Sequence, residues 1–87
     1  MNFIPNILKK IEADSLTKVM VFRTNLNSKK DIDRVAPLLD TTHIVLLWSV
    51  DTNDIDKVLR IEGFSDKPEE INAIIKRAGY QCEELND

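Results

Sequence analysis

The sequence has 87 residues, which is enough for one small domain and too few for two. Hydrophobic residues make up 43% and charged residues 31%, a composition that excludes a disordered or fibrous chain. The formal net charge is −3, and the densest basic points are only the pairs Lys9-Lys10 and Lys29-Lys30, which argues against nucleic-acid binding.

The first segment, residues 1–16, is predicted to contain an amphipathic helix over residues 3–14. Five apolar residues recur there at helical spacing: Phe3, Ile4, Ile7, Leu8 and Ile11. Pro5 is tolerated in a first helical turn. A helix of about three turns is marginal alone, so we expect its apolar stripe to pack on another surface.

A strand and a helix are predicted to follow. Residues 18–26 alternate between two faces, which indicates a strand. Ser28 is followed three residues later by Asp31, a spacing that resembles a helix capping box. The apolar residues from Ile32 to Leu39 then recur at helical spacing, and Pro37 inside this pattern predicts a kink.

The middle of the chain is predicted to be a hairpin. Residues 44–50 form a nearly continuous apolar run whose length and β-branched content favour a strand. Residues 51–54 are polar and indicate a turn, and residues 57–62 alternate again.

A second helix and a last strand complete the predicted fold. Residues 69–78 carry acids in the first turn and bases in the last, with Gly79 placed to end the helix. Residues 80–85 could form a short strand. The order βαββαβ predicts an α+β, ferredoxin-like sandwich over residues 17–87, with a four-stranded antiparallel sheet, two helices on one face and an extra N-terminal helix.

The strand alternation predicts an apolar patch on the sheet face away from the two helices. If Trp48, Val50, Leu59 and Ile61 face the helices, five residues fall on the other side: Val19, Val21, Val45, Leu47 and Val58. An exposed apolar patch of this kind usually marks a surface that another element or another molecule covers. The N-terminal helix could cover it, or the patch and helix could form an interface with a homodimer or an unknown protein partner; a membrane-surface role has little support from two lysines.

Four short segments give the chain its resemblance to a known family. They are TNLNS at 24–28, WSVD at 48–51, KVL at 57–59 and AGY at 78–80. In this order and spacing, residues 18–85 resemble the heavy-metal-associated (HMA, copper-chaperone-like) domain family.

The resemblance implies a metal-binding loop that this sequence does not reproduce. In that family the loop between the first strand and the first helix carries two cysteines that hold a soft ion such as Cu(I). In this sequence Ser28 and Asp31 look like the residues at the two cysteine positions. Leu26 looks like the counterpart of the family's loop methionine, which points into the core. A hydroxyl and one carboxylate are hard oxygen ligands, so the family's chemistry does not carry over.

We therefore expect a non-catalytic binding or interaction module that has lost soft-metal binding and uses no cofactor. The alternative is a copper- or zinc-binding transport protein that uses Cys82 across a dimer, or a hard-ligand site at Ser28 and Asp31. In the simpler interpretation these two residues only cap a helix.

The remaining candidate residues offer little chemistry. Cys82 is the only cysteine, which excludes an internal disulfide, and we expect it to be a buried small residue. His43 is the only histidine and is expected in a surface loop. No serine of the chain has an obvious histidine partner that could act as its catalytic base. No apolar run could span a membrane and no secretion signal is evident, so a cytoplasmic protein is expected. Because no set of nucleophile, base and orienting group is evident, we expect no enzyme activity.

Overall fold

The computed structural model describes residues 17–85. Its elements follow in the order β1 (Lys18–Thr24), α1 (Lys29–Asp40), β2 (Val45–Asp51), β3 (Val58–Gly63), α2 (Pro68–Arg77) and β4 (Cys82–Glu84). The predicted βαββαβ order is confirmed. The predicted helix over residues 3–14, with its five candidate interface residues, lies outside the described part of the chain.

The four strands form one antiparallel sheet in the order β2-β3-β1-β4. In the centre β1 pairs with β3, where Phe22 lies opposite Leu59. On its other side β1 pairs with β4, where Thr24 lies opposite Cys82. Because β1 is an interior strand, both its ends lie near the middle of the sheet.

The core lies between one face of the sheet and the two helices. The fully buried side chains come from alternate strand positions and from one stripe of each helix: Phe22, Leu26, Val35, Leu39, Leu59, Ile61, Ile71 and Ile75. This is the alternation expected of strands that are buried on one face only. The opposite face of the sheet is therefore free of α1 and α2.

A β-bulge at the start of β2 corrects one sequence-based assignment. Val45 pairs with Gly63 and Leu47 pairs with Glu62, so Leu46 is an extra residue in the ladder. An extra residue shifts the alternation by one position, which moves Val45 to the core side, where it is partly buried against the core. The prediction that Val45 lies on the outer face was wrong. The outer-face patch consists of Val19, Val21, Leu47 and Val58.

Both helices begin and end where the sequence patterns predict. α1 begins after Ser28 and contains Pro37, and α2 begins at Pro68. Gly79 has a φ of +97°, a left-handed conformation that glycine adopts at little cost, so its predicted role at the helix end is confirmed.

Candidate functional site

The candidate site lies at one end of the sheet, in the loop of residues 25–28 between β1 and α1. The turn between β2 and β3 meets it there, since the Thr24 backbone N–H donates to the Asp56 carbonyl at 3.0 Å. The segment that leads into β4 meets it as well, since the Gln81 backbone N–H donates to Asn25 Oδ1 at 2.8 Å. Three connections therefore converge at this end.

The Thr24 hydroxyl fixes the start of the loop. Thr24 Oγ1 donates to the Lys57 carbonyl at 2.6 Å and accepts from the Leu26 backbone N–H at 3.1 Å. The residue is only 6% exposed, and Leu26 is fully buried, as the family resemblance implied. Sequence analysis did not single out Thr24, because a threonine at a strand end is common and nothing local identifies its partners.

Ser28 and Asp31 form the predicted helix cap. Ser28 Oγ accepts a hydrogen bond from the Asp31 backbone N–H at 3.3 Å. Asp31 Oδ2 accepts in return from the backbone N–H of Asn27 at 3.0 Å. This reciprocal pair resembles a capping box, except that the acid reaches the residue before the cap. The capping interpretation of Ser28 and Asp31 is thus confirmed.

A tyrosine from the other end of the chain completes the arrangement around Asp31. The Tyr80 hydroxyl donates to Asp31 Oδ1 at 2.9 Å, so each carboxylate oxygen accepts a hydrogen bond. The Asn27 N–H first, and then the Tyr80 hydroxyl, hold the pKa of Asp31 below its ordinary value. Asp31 is therefore an anion at neutral pH. Sequence analysis placed Tyr80 in the AGY segment of the family resemblance but did not predict its contact with Asp31, from which it is separated by 49 residues.

Cys82 is buried, as predicted, and is only 5% exposed. Burial raises the pKa of its thiol to about 11, and the charge of Lys76 offsets this only in part. Since the thiolate is the form that binds metal ions and reacts, a thiol that is mostly protonated at neutral pH has reduced reactivity. His43 is exposed in the turn before β2, also as predicted.

The described residues contain no evident multi-ligand metal centre. Within residues 17–85, no three His, Cys, Asp or Glu side chains are grouped so as to hold a metal ion. The hydroxyl of Ser28 and the carboxylate of Asp31 both make hydrogen bonds in the cap, and the Tyr80 hydroxyl is a third polar side-chain group at Asp31.

A cleft of about 450 Å³ opens beside the loop, near β4. Arg23 lies on its wall and contacts two acids: Nε is 3.1 Å from Asp56 Oδ1, and Nη1 is 3.5 Å from Glu83 Oε1. Ile55 borders the cleft and is 91% exposed. The lining includes Tyr80 and Cys82 but not His43, so the cleft brings no histidine base to the thiol.

Among residues 17–85, neither helix is long and apolar enough to cross a bilayer.

No protein-family model matches the chain, and no curated protein matches its sequence. Solved structures do match. The apo HMA domain of the copper chaperone for superoxide dismutase is 16% identical with a TM-score of 0.68, over 80% of this chain and 68% of that one. The N-terminal domain of PacS from Synechocystis PCC6803 is 11% identical with a TM-score of 0.67, over 79% and 98%.

The N-terminal domain of ZntA in its Zn(II) form is also similar, at 12% identity and a TM-score of 0.66, over 78% of this chain and 92% of that one. Identities this low establish the fold alone. The chain therefore has the ferredoxin-like fold of HMA domains, as its four short segments implied.

Proposed function

We propose that this chain is a non-catalytic binding or interaction module, built on the scaffold of HMA domains, that does not bind soft metal ions. The observation that carries the proposal is the donor set of the helix cap, in which Ser28 supplies a neutral hydroxyl and Asp31 a carboxylate, with no thiolate. Both carboxylate oxygens accept hydrogen bonds from the chain itself, at 3.0 and 2.9 Å. By resemblance, Ser28 and Asp31 stand where the family keeps its two cysteines.

Ligand chemistry supports the loss of soft-metal binding. Cu(I) prefers thiolates, and Zn²⁺ is held by four ligands that are mostly thiolate or imidazole in structural sites. The cap offers one neutral hydroxyl and one carboxylate. Each Asp31 oxygen accepts one hydrogen bond and keeps a further lone pair, so the carboxylate could supply one ligand, but its only partner in the cap is a neutral hydroxyl. The alternative of a hard-ligand site at the cap would therefore need several further oxygens.

The second alternative, a metal shared between two chains through Cys82, would need that thiol to ionise and become accessible. Its pKa of about 11 and its exposure of 5% both oppose this. A reducing, cytoplasmic setting would suit a free buried thiol, and location remains a prediction.

The binding role is supported by the surfaces that the fold leaves open. The cleft next to the cap presents an exposed apolar side chain, Ile55, beside the paired charges of Arg23, Asp56 and Glu83. One exposed apolar side chain is not a patch by itself, so the support comes from the concave shape of the cleft together with its charged groups. Because no nucleophile and base meet there, we propose recognition rather than catalysis.

The test is a Cu(I) competition titration against a coloured Cu(I) chelator, under reducing conditions. The natural chain should take no copper from the chelator. The double variant Ser28→Cys/Asp31→Cys should take one Cu(I) per chain, because it restores a thiolate pair at the start of α1. Ser28→Ala/Asp31→Ala is the matched control, since it removes the same cap without adding sulfur, and it should take none.

Stoichiometric copper uptake by the natural chain would overturn the proposal. Loss of that uptake in Cys82→Ala would then favour the shared-thiol alternative, and loss in Asp31→Ala would favour the cap. Failure of the double-cysteine variant to bind copper, if it is folded, would overturn the placement of Ser28 and Asp31 at the family's ligand positions.

A further inference from the structure

The two edge strands of the sheet differ in length and in charge. β2 and β4 are the outer strands in the order β2-β3-β1-β4. β4 has three residues and carries Glu83 and Glu84, and short, charged edge strands discourage further strand pairing. β2 has seven residues, with neither lysine nor proline, and its only charge is Asp51 at its end. Within residues 17–85, β2 is therefore the edge that is suited to accept another strand.

The backbone of β2 has hydrogen-bonding groups available for such pairing. β2 pairs with β3 on one side, and none of the described strands lies on its other side. In an antiparallel ladder, every second residue directs its backbone N–H and C=O away from the neighbouring strand. An extended segment laid along β2 would satisfy these outward groups by adding a strand to the sheet.

Two charged side chains lie next to this edge. Arg60 is paired with Ser49 in the ladder, and Glu62 is paired with Leu47. Neither charged side chain makes an ion pair with a described residue. Leu47 is 61% exposed. These four residues and Trp48 line a groove of about 270 Å³. The edge thus offers an exposed apolar side chain together with one charge of each sign.

We propose that β2 pairs with β2 of a second copy of this chain, antiparallel and about a two-fold axis at Trp48. Trp48 is the middle residue of β2, so this register makes the longest overlap. Leu47 of each copy then lies opposite Ser49 of the other, and the two Trp48 side chains form a cross-strand aromatic pair. Each row across the joined sheet runs from Arg60 through Ser49 to Leu47 and Glu62 of the second copy. Both rows therefore have a base at one end and an acid at the other.

The charges favour this register over its neighbours. With the axis at Leu47, the row through the axis would have Glu62 at both ends. With the axis at Ser49, it would have Arg60 at both ends. Like charges in one row oppose association. With the axis at Val50, only three residues of each β2 would pair. The axis at Trp48 is the one that combines full overlap with opposite charges.

The size of the interface predicts a weak dimer that stops at two chains. Seven residues a side are fewer than the roughly 20–30 of a standard interface. The two-fold axis uses both β2 edges and leaves only the short, acidic β4 edges outside. This dimer involves neither the cap nor the cleft and needs no metal ion. It is therefore independent of the proposed function.

The first test is NMR of the natural full chain under reducing conditions, with a metal chelator present. A rising protein concentration should shift the backbone amide signals of β2 more than those of β4. In a mixture of labelled and unlabelled chains, the Leu47 methyl groups should show nuclear Overhauser contacts to Ser49 of the other chain. A chain that stays monomeric up to the highest concentration, or contacts between chains only at another surface, would overturn the inference.

A charge-swap experiment then tests the register by sedimentation velocity. Arg60→Glu puts acids at both ends of each row, and Glu62→Arg puts bases there. Each variant alone should associate about tenfold more weakly at low salt, because both rows become repulsive. An equimolar mixture of the two variants should associate again as a heterodimer, since one chain supplies the acids and the other the bases. Arg77→Glu is the matched control, because it makes the same charge change on an exposed residue of α2.

The control separates a local effect from a change in net charge. Arg77→Glu should leave the association of the chain nearly unchanged. If Arg60→Glu weakens association no more than Arg77→Glu does, or if the mixture of the two edge variants fails to associate, the pairing of β2 about Trp48 is wrong.

Discussion

Replacing Thr24 by valine should remove the side-chain hydroxyl that holds the candidate loop in place. Valine keeps the size and branching of threonine, so packing changes little. Two hydrogen bonds are lost, to the Lys57 carbonyl and from the Leu26 backbone N–H. The Leu26 N–H is buried, and an unpaired buried polar group costs about 1–3 kcal/mol. The carbonyl is partly buried and can find water. We expect the free energy of unfolding to fall by about 2–3 kcal/mol.

Urea unfolding followed by Trp48 fluorescence measures this loss. Trp48 packs against the core and its Nε1 donates to Asp40 Oδ1 at 2.8 Å, so its emission should change on unfolding. With a slope of about 1 kcal/mol per molar urea for a domain of this size, the midpoint should fall by about 2–3 M.

Thr24→Ser is the control for this prediction, since it keeps the hydroxyl and loses one methyl group, at a cost of about 1 kcal/mol. A Thr24→Val variant as stable as Thr24→Ser, or more stable, would refute the reasoning that the hydroxyl stabilises the loop.

Three further predictions concern the cap, the thiol and a crowded glycine. The carboxylate of Asp31, with its lowered pKa, adds stability above the ordinary aspartate pKa of 3.8 and loses it as the pH falls through the lowered value. Tyr80→Phe should raise the Asp31 pKa towards 3.8 in an NMR titration, and an unchanged pKa would contradict the hydrogen bond. With a pKa of about 11 instead of 9.0, the folded Cys82 thiol should react with iodoacetamide about a hundredfold more slowly than the urea-unfolded chain, and equal rates would contradict its burial. Gly63→Ala would place a Cβ in steric conflict with the Ile44 carbonyl oxygen, so thermal unfolding should show a loss of about 2 kcal/mol or more, and an unchanged melting temperature would contradict this packing.

Periodicity was sufficient to predict the order of the elements. Residues 18–26 and 57–62 alternate, and α1 and α2 carry helical spacing between clear start and stop signals. The face of Val45 could not be predicted in this way. A bulge depends on how two strands pair, and the apolar run around Leu46 has no period that would locate an extra residue.

The contacts of the candidate site between residues that are close in sequence were also predictable. Ser28 and Asp31 cap a helix because their spacing alone brings the hydroxyl to the Asp31 N–H. The contact from Tyr80 was not predictable, because it depends on where the end of α2 and the start of β4 meet α1. The Thr24 bond to Lys57 likewise needs the sheet register, which pairs β1 with β3.

Native mass spectrometry of the full chain, purified under reducing conditions and then exposed to Cu(I) or Zn²⁺, tests the central claim most directly. The account predicts a metal-free spectrum that neither ion changes, because the cap offers only a neutral hydroxyl and one carboxylate and the buried Cys82 thiol stays protonated. One tightly held ion per chain, or a dimer that forms only with metal, would contradict it.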